Sequence, residues 1–170
     1  CVMRKDAYTS EIVPAMQGLK FGIWGHDTVV LHEHEIRKSL GPFGVLRTDR
    51  ALRTRFMDEL NALIETAPMT IFASVIHKEK HRAKYANPWN PYEIALHFCM
   101  ERLHMMLTVE KQHGKTVHVV FESRGAREDG ELELEFRRIA GNNSHWGYRC
   151  HDFSRFDFQP VFIPKAANAS

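Results

Sequence analysis

The chain has 170 residues, 44% of them hydrophobic and 26% charged, and a formal net charge of +2 before its eleven histidines are counted. This is the composition of a soluble globular protein that can bury a substantial core, most simply as one domain, and the mild positive charge permits an acidic partner without demanding one. No apolar stretch approaches the roughly 18 residues of a membrane span, and three cysteines (Cys1, Cys99, Cys150) without a Cys-x-x-Cys pair argue against a disulfide scaffold and fit a reducing cytoplasm.

In chain order, Cys1–Met3 reads as the tail of a strand. The chain opens inside that strand and stops just after another, so the sequence reads as an internal piece of a longer protein. Thr9 or Ser10 is placed to cap a helix with Ile12, Val13, Met16 and Leu19 on one face, Pro14 being tolerable only in its first turn. Thr28–Leu31 is a short strand candidate that runs into the polar stretch HEHEIRK. A helix capped by Thr48 or Asp49 carries Leu52, Phe56, Leu60, Leu63 and Ile64, and Pro68 ends it.

Residues 69–76, MTIFASVI, are apolar throughout, as in a strand covered on both faces. NPYE then starts a helix, with Asn90 as cap and Pro91 in the first position; Tyr92, Leu96, Cys99, Leu103, Met106 and Leu107 form its expected buried stripe. Residues 116–121, TVHVVF, form the next strand, with Val117, Val119 and Phe121 on one face and His118, Val120 and Glu122 on the other. A helix within Ala126–Ala140 follows, with acids early, Arg137 and Arg138 late and Gly141 to close it. Residues 142–157 read as a loop, and 158–163 as a last strand. Alternating β and α segments imply an α/β fold with helices on both faces of a sheet, in which 69–76 and 116–121 lie side by side at the centre.

Three clusters could carry chemistry. Glu122 and Arg124 stand at the end of the 116–121 strand, where open α/β sheets place their ligands. They fit either a structural salt bridge or a metal-binding carboxylate with an arginine steering an anionic substrate. In LHEHEIRK, an extended chain would put His32 and His34 on one face and Glu35 on the other. That pattern suits a solvated strand end, a zinc site using His32 and His34, or an active-site edge where His32 or Glu35 faces Glu122. The third cluster, VIHKEKHRAKY, gathers Lys78, Lys80, Arg82 and Lys84, either as an exposed basic loop or as a phosphate-contacting patch. Arg47, Arg50, Arg53 and Arg55 add a second basic region spread over several helix faces. Phosphate-cradling Gly-rich loops and Gly-x-Ser-x-Gly are absent, which removes support for NTPase, dinucleotide and serine-hydrolase readings.

Taken in order, FGIWGHDTVVLHEHEIRKSLGPF, NPYEIALHFCMERL, VHVVFESRGAREDGELELEF and PVFIPKAANAS resemble the bacterial family catalogued as domain of unknown function 3800. The resemblance implies a ribonuclease H-like fold, a mixed central sheet with helices on both faces. It also implies a magnesium- or manganese-dependent nuclease or phosphodiesterase. Under it, Glu122, Glu35 and His32 are the catalytic candidates and Glu122 the metal ligand, while Ser123 and Arg124, with Lys78, Lys80, Arg82 and Lys84, are the substrate-binding candidates. The family's Asp-Glu-Ser-Gly turn and Gln-x-Ala-Asp motif do not occur in this chain; the first is expected upstream of Cys1 and the second beyond Ser170. Two-metal phosphodiester cleavage needs several converging carboxylates, so a truncated chain could be inactive. The rival expectation is a non-catalytic nucleic-acid- or protein-binding module on the same fold, serving in defence against mobile DNA. No membrane partner is expected, and a homo-oligomer is compatible with the sequence.

Overall fold

The computed structural model describes residues 1–112, 114–141 and 152–164. Among these, 60% are helical and only 8% lie in strands, the latter as two sheets of two strands each. The expected α/β fold with a mixed central ribonuclease H-like sheet is therefore corrected to a mostly helical one. The described residues divide into two compact units, Cys1–Thr70 and 71–164.

In the first unit β1 (Val2–Met3) pairs antiparallel with β2 (Met69–Thr70). A continuous helical stretch follows β1: α1 (Lys5–Ala7), a π-helical turn (Tyr8–Ile12) and α2 (Val13–Trp24). The expected cap at Thr9 or Ser10 is not a helix start, because both hydroxyls donate backwards to the Asp6 carbonyl from inside the helix. The wide turn, closed by Val13 N–H on the Tyr8 carbonyl, ends where Pro14 has no N–H to offer Ser10 and its ring would crowd that carbonyl. Gly25, at φ +75°, closes α2.

Residues 28–31 form no strand. They lead into α3 (Glu33–Lys38), a 3₁₀ turn (Gly41–Gly44), α4 (Val45–Thr48) and α5 (Arg50–Thr66). Asp49 caps α5 as expected, its carboxylate accepting from Leu52 N at 2.9 Å. Phe43 and Phe56 are fully buried with Leu19, Val29 and Leu46. Trp24 meets both phenylalanines edge-on, at 5.3 and 5.6 Å, while its indole N–H donates to the Pro42 carbonyl.

The second unit holds α6 (Lys78–Lys84), α7 (Pro91–Val109), β3 (Val120–Glu122), α8 (Ala126–Ala140) and β4 (Val161–Ile163). Met100, Phe136, Ile139, Phe153 and Phe156 form its core. β3 and β4 are parallel, with Val120 opposite Val161, and Val117 bridges Phe156 upstream. The second strand thus spends two more residues than the first between the two pairings.

The alternation expected along 117–122 holds. Val117, Val119 and Phe121 pack on the core, and Phe121 meets Phe136 edge-on at 5.9 Å. The opposite face is not covered: Val120 is 57% exposed. Residues 69–76 fare likewise, since only Met69–Thr70 pair and Val75 is 91% exposed. An apolar run becomes a central strand only when partners flank both edges and helices cover both faces. Here β2 belongs to the first unit and β3 to the second, each with one strand partner among the described residues. The expected loop 142–157 falls mostly outside the described residues; its described end, from residue 152, contributes Phe153 and Phe156 to the core.

Candidate nucleic-acid interface

Two local devices position the charged side chains of the second unit. The first begins at His77, which caps α6 by accepting from Lys80 N at its Nδ1 (3.3 Å). One turn on, His81 Nε2 donates to the Trp89 carbonyl at 2.9 Å, and the His81 ring lies 5.3 Å from that of Tyr85. The connection from Tyr85 to Asn90 is thereby held against α6. Asn90 then caps α7, its side-chain oxygen accepting from Tyr92 N at 3.0 Å, with Pro91 in the first helical position as expected.

The second device is the turn after β3. Asp129, in the first part of α8, reaches back so that its carboxylate accepts from both Ser123 Oγ and Arg124 N, the latter at 2.8 Å. These bonds hold the Asp129 carboxyl below its ordinary range, the Arg124 amide first and the Ser123 hydroxyl second. Gly125 makes the turn at φ +134°, ψ +153°, a region for glycine. Ser123 is thus the tie that fixes the turn, and the turn delivers Arg124.

The two devices meet at Tyr92. The Lys78 ammonium and the Arg124 guanidinium each lie 5.2 Å from the centre of its ring. Hydrogen bonding from Arg124, then the charges of Lys78 and Arg124, hold the phenol below its ordinary ionisation range. Lys84 lies 5.4 Å from the Tyr85 ring in the same way. Lys80 and Arg82 stand exposed on α6 between them.

Among the described residues, none of Lys78, Lys80, Arg82, Lys84 and Arg124 takes part in an ion pair. Elsewhere, some arginines are neutralised along their own helices, as Arg37 by Glu33 and Arg137 by Glu133. Two of the four arginines of the second basic region are engaged: Arg55 binds Glu59 and the Gly22 carbonyl, and Arg53 donates to Ser39 Oγ.

The remaining candidates sit on other elements. His32 is not in a strand; it precedes α3, with its Nδ1 3.9 Å from Glu35 Oε1 and both side chains roughly half exposed. His34 lies inside that helix, where residues two apart diverge, so the shared strand face expected of a zinc pair is absent. His32 and Glu35 belong to the first unit and Glu122 to the second. Glu122 ends β3 opposite Ile163, exposed, on the face that carries His118. Among the described residues no three His, Cys, Asp or Glu side chains gather as a cation would require. The donor set expected for magnesium, manganese or zinc is therefore not assembled by them.

Tyr85, Trp89, Tyr92 and Asp129 are not legible as site residues from helical periodicity. Periodicity puts Tyr92 inside, yet α7 buries Ile94, His97, Met100 and Leu107 and leaves Tyr92 52% exposed. The usable signal is the run YANPWNPY directly after a basic helix: aromatic rings interleaved with lysine and arginine.

The chain is 29% identical over 119 residues to the uncharacterized protein y4pM of Sinorhizobium fredii (strain NBRC 101917 / NGR234), an alignment that covers 66% of this chain and 43% of that relative. The chain thus spans less than half the length of the curated relative it matches. No protein-family model matches the chain, and no solved structure matches it. Among the described residues, no helix is long and apolar enough to cross a membrane.

Proposed function

We propose that this protein is a nucleic-acid-binding module that holds phosphates on the surface formed by α6 and the Arg124 turn. The observation that carries the reading is the set of five cations without an acidic partner among the described residues, placed on and against one short helix. An unneutralised lysine or arginine beside water has counterions to exchange. Phosphate binding releases those counterions, and that release supplies most sequence-independent affinity for nucleic acid. The free thiols Cys1 and Cys99 are in keeping with a cytoplasmic setting.

The test is charge reversal of Lys78, Lys80, Arg82 and Lys84 to glutamate, read as affinity for a labelled oligonucleotide across a salt series. The wild type is expected to lose affinity steeply with salt. The variant is expected to bind weakly and to reduce the slope of log K against log salt by up to about 3.6, roughly 0.7–0.9 for each phosphate no longer neutralised. Equal affinities and slopes would return α6 to an ordinary solvated helix.

A further inference from the structure

Resting on the nucleic-acid reading, we infer that the point where Lys78 and Arg124 close on Tyr92 takes the terminal phosphate monoester of a strand, ahead of the phosphodiesters within it. A diester carries a single negative charge. A monoester carries about 1.5 to 2 at neutral pH and offers three strong acceptor oxygens.

The two cations come from different elements and meet at one ring. Lys78 opens α6 and Arg124 follows β3, yet each lies 5.2 Å from the centre of the Tyr92 ring. Like charges brought together repel, and an exposed aromatic ring offsets only part of that cost. Among the described residues neither cation enters an ion pair. Asp129, which holds the Arg124 amide with one oxygen, uses the other on the Ser123 hydroxyl. Both cations act on one atom, the phenol oxygen: hydrogen bonding from Arg124 first, and then the Lys78 charge, make Tyr92 more acidic. An anionic oxygen brought to that hydroxyl meets the same field.

Each of the three side chains stands on backbone that is already pinned. His77 caps the turn that carries Lys78, Asn90 the turn that carries Tyr92, and Asp129 holds the turn that carries Arg124. Order that exists before a ligand arrives leaves less freedom to lose on binding. Together the three supply an ammonium, a planar guanidinium fork and a hydroxyl, one donor group for each free oxygen of a monoester. Lys80 and Arg82 have no shared partner of this kind among the described residues, and so meet diesters singly.

The experiment measures binding of the whole chain, at matched salt, to one single-stranded oligonucleotide in three forms: hydroxyl at both ends, 5′-phosphate and 3′-phosphate. Inorganic phosphate is a further probe. At least one phosphorylated form is expected to bind about tenfold more tightly than the hydroxyl form, the scale of one added charge-assisted hydrogen bond. Inorganic phosphate is expected to bind more weakly than that form. Arg124→Gln, Lys78→Gln and Tyr92→Phe, the last of which keeps the ring, should each bring the ratio of the two affinities towards one. Lys80→Gln combined with Arg82→Gln should weaken all three forms together and keep the ratio. A ratio of one in the wild type, with affinity still falling steeply with salt, would overturn the inference and leave the nucleic-acid reading standing. A ratio that survives the Arg124, Lys78 and Tyr92 variants would also overturn it, because the preference would then arise elsewhere. Inorganic phosphate bound as tightly as the phosphorylated strand would assign the point to a free anion and overturn it too. Absence of binding to every form of the strand would overturn both readings.

Discussion

The guanidinium of Arg124, just past the end of β3, lies 5.2 Å from the ring centre of Tyr92, in the first turn of α7. Neither residue could be there without a second one. Asn90 orders the helix start that carries Tyr92, and Asp129 orders the turn that carries Arg124.

This contact makes the Tyr92 phenol acidic relative to an ordinary tyrosine. Arg124→Ala should move its ionisation upward, as should Lys78→Ala to a smaller degree; an absorbance titration of each variant against Tyr92→Phe reads the shift. The sign for stability follows. A depressed folded value gives its full stabilisation above the unfolded phenol value, near 10, and the gain is lost as pH falls through the folded value. Tyr92→Phe is therefore expected to melt like the wild type at pH 7 and to fall behind it only in strong alkali.

Asp129 sets the opposite limit. Its carboxyl is held low by Arg124 N and Ser123 Oγ, so its contribution is complete above the unfolded carboxyl value, about 3.9, and disappears as pH falls through the lower folded value. Asp129→Ala should melt below the wild type at pH 7. The gap should close as acid protonates the native carboxyl, and a gap that stays constant from pH 7 to pH 2 would show that the ionised carboxylate is not what holds the turn.

Gly125 sits at φ +134° in that turn. Gly125→Ala is expected to cost about 1–3 kcal/mol in denaturant unfolding, from backbone strain. The new Cβ would also come within 3.2 Å of Glu128 Oε2, a flexible tip that can move aside.

The uncovered face of β3 predicts an asymmetry between neighbours. Phe136, fully buried against Phe121, should cost about 3–5 kcal/mol on truncation to alanine. Val120→Ala, at an exposed position, should stay within about 0.5 kcal/mol. A Val120 cost comparable to that of a core valine would instead restore a strand covered on both faces.

Helices are legible in this sequence because their signals are local. Asp49, Asn90–Pro91 and Gly141 mark ends that the chain itself enforces within one turn. The sheet is not legible, because a strand depends on partners far along the chain. The runs 69–76 and 116–121 have the apolar content of central strands, yet contribute two strand residues each, plus the isolated bridge at Val117. For the site, the charges of α6 are visible as composition, whereas the stripe expected along α7, whose Leu96 and Leu103 do pack on the core, also puts Tyr92 inside. Asp129 has no signal at all, since an acid early in a helix satisfies the dipole whether or not it reaches back to a loop.

The wide turn at Tyr8–Ile12 gives the first helical stretch a reading frame. Relative to an unbroken α-helix it accommodates one additional residue, and each residue turns the helix by about 100°. Removing any one of these five could restore regular winding without breaking the helix. The buried Ala7 and the strand ahead of it would then swing about a quarter-turn away from the side set by Leu19. In this segment the chain should tolerate many exchanges of one amino acid for another, but a change in its length by a single residue would uncouple β1 from β2.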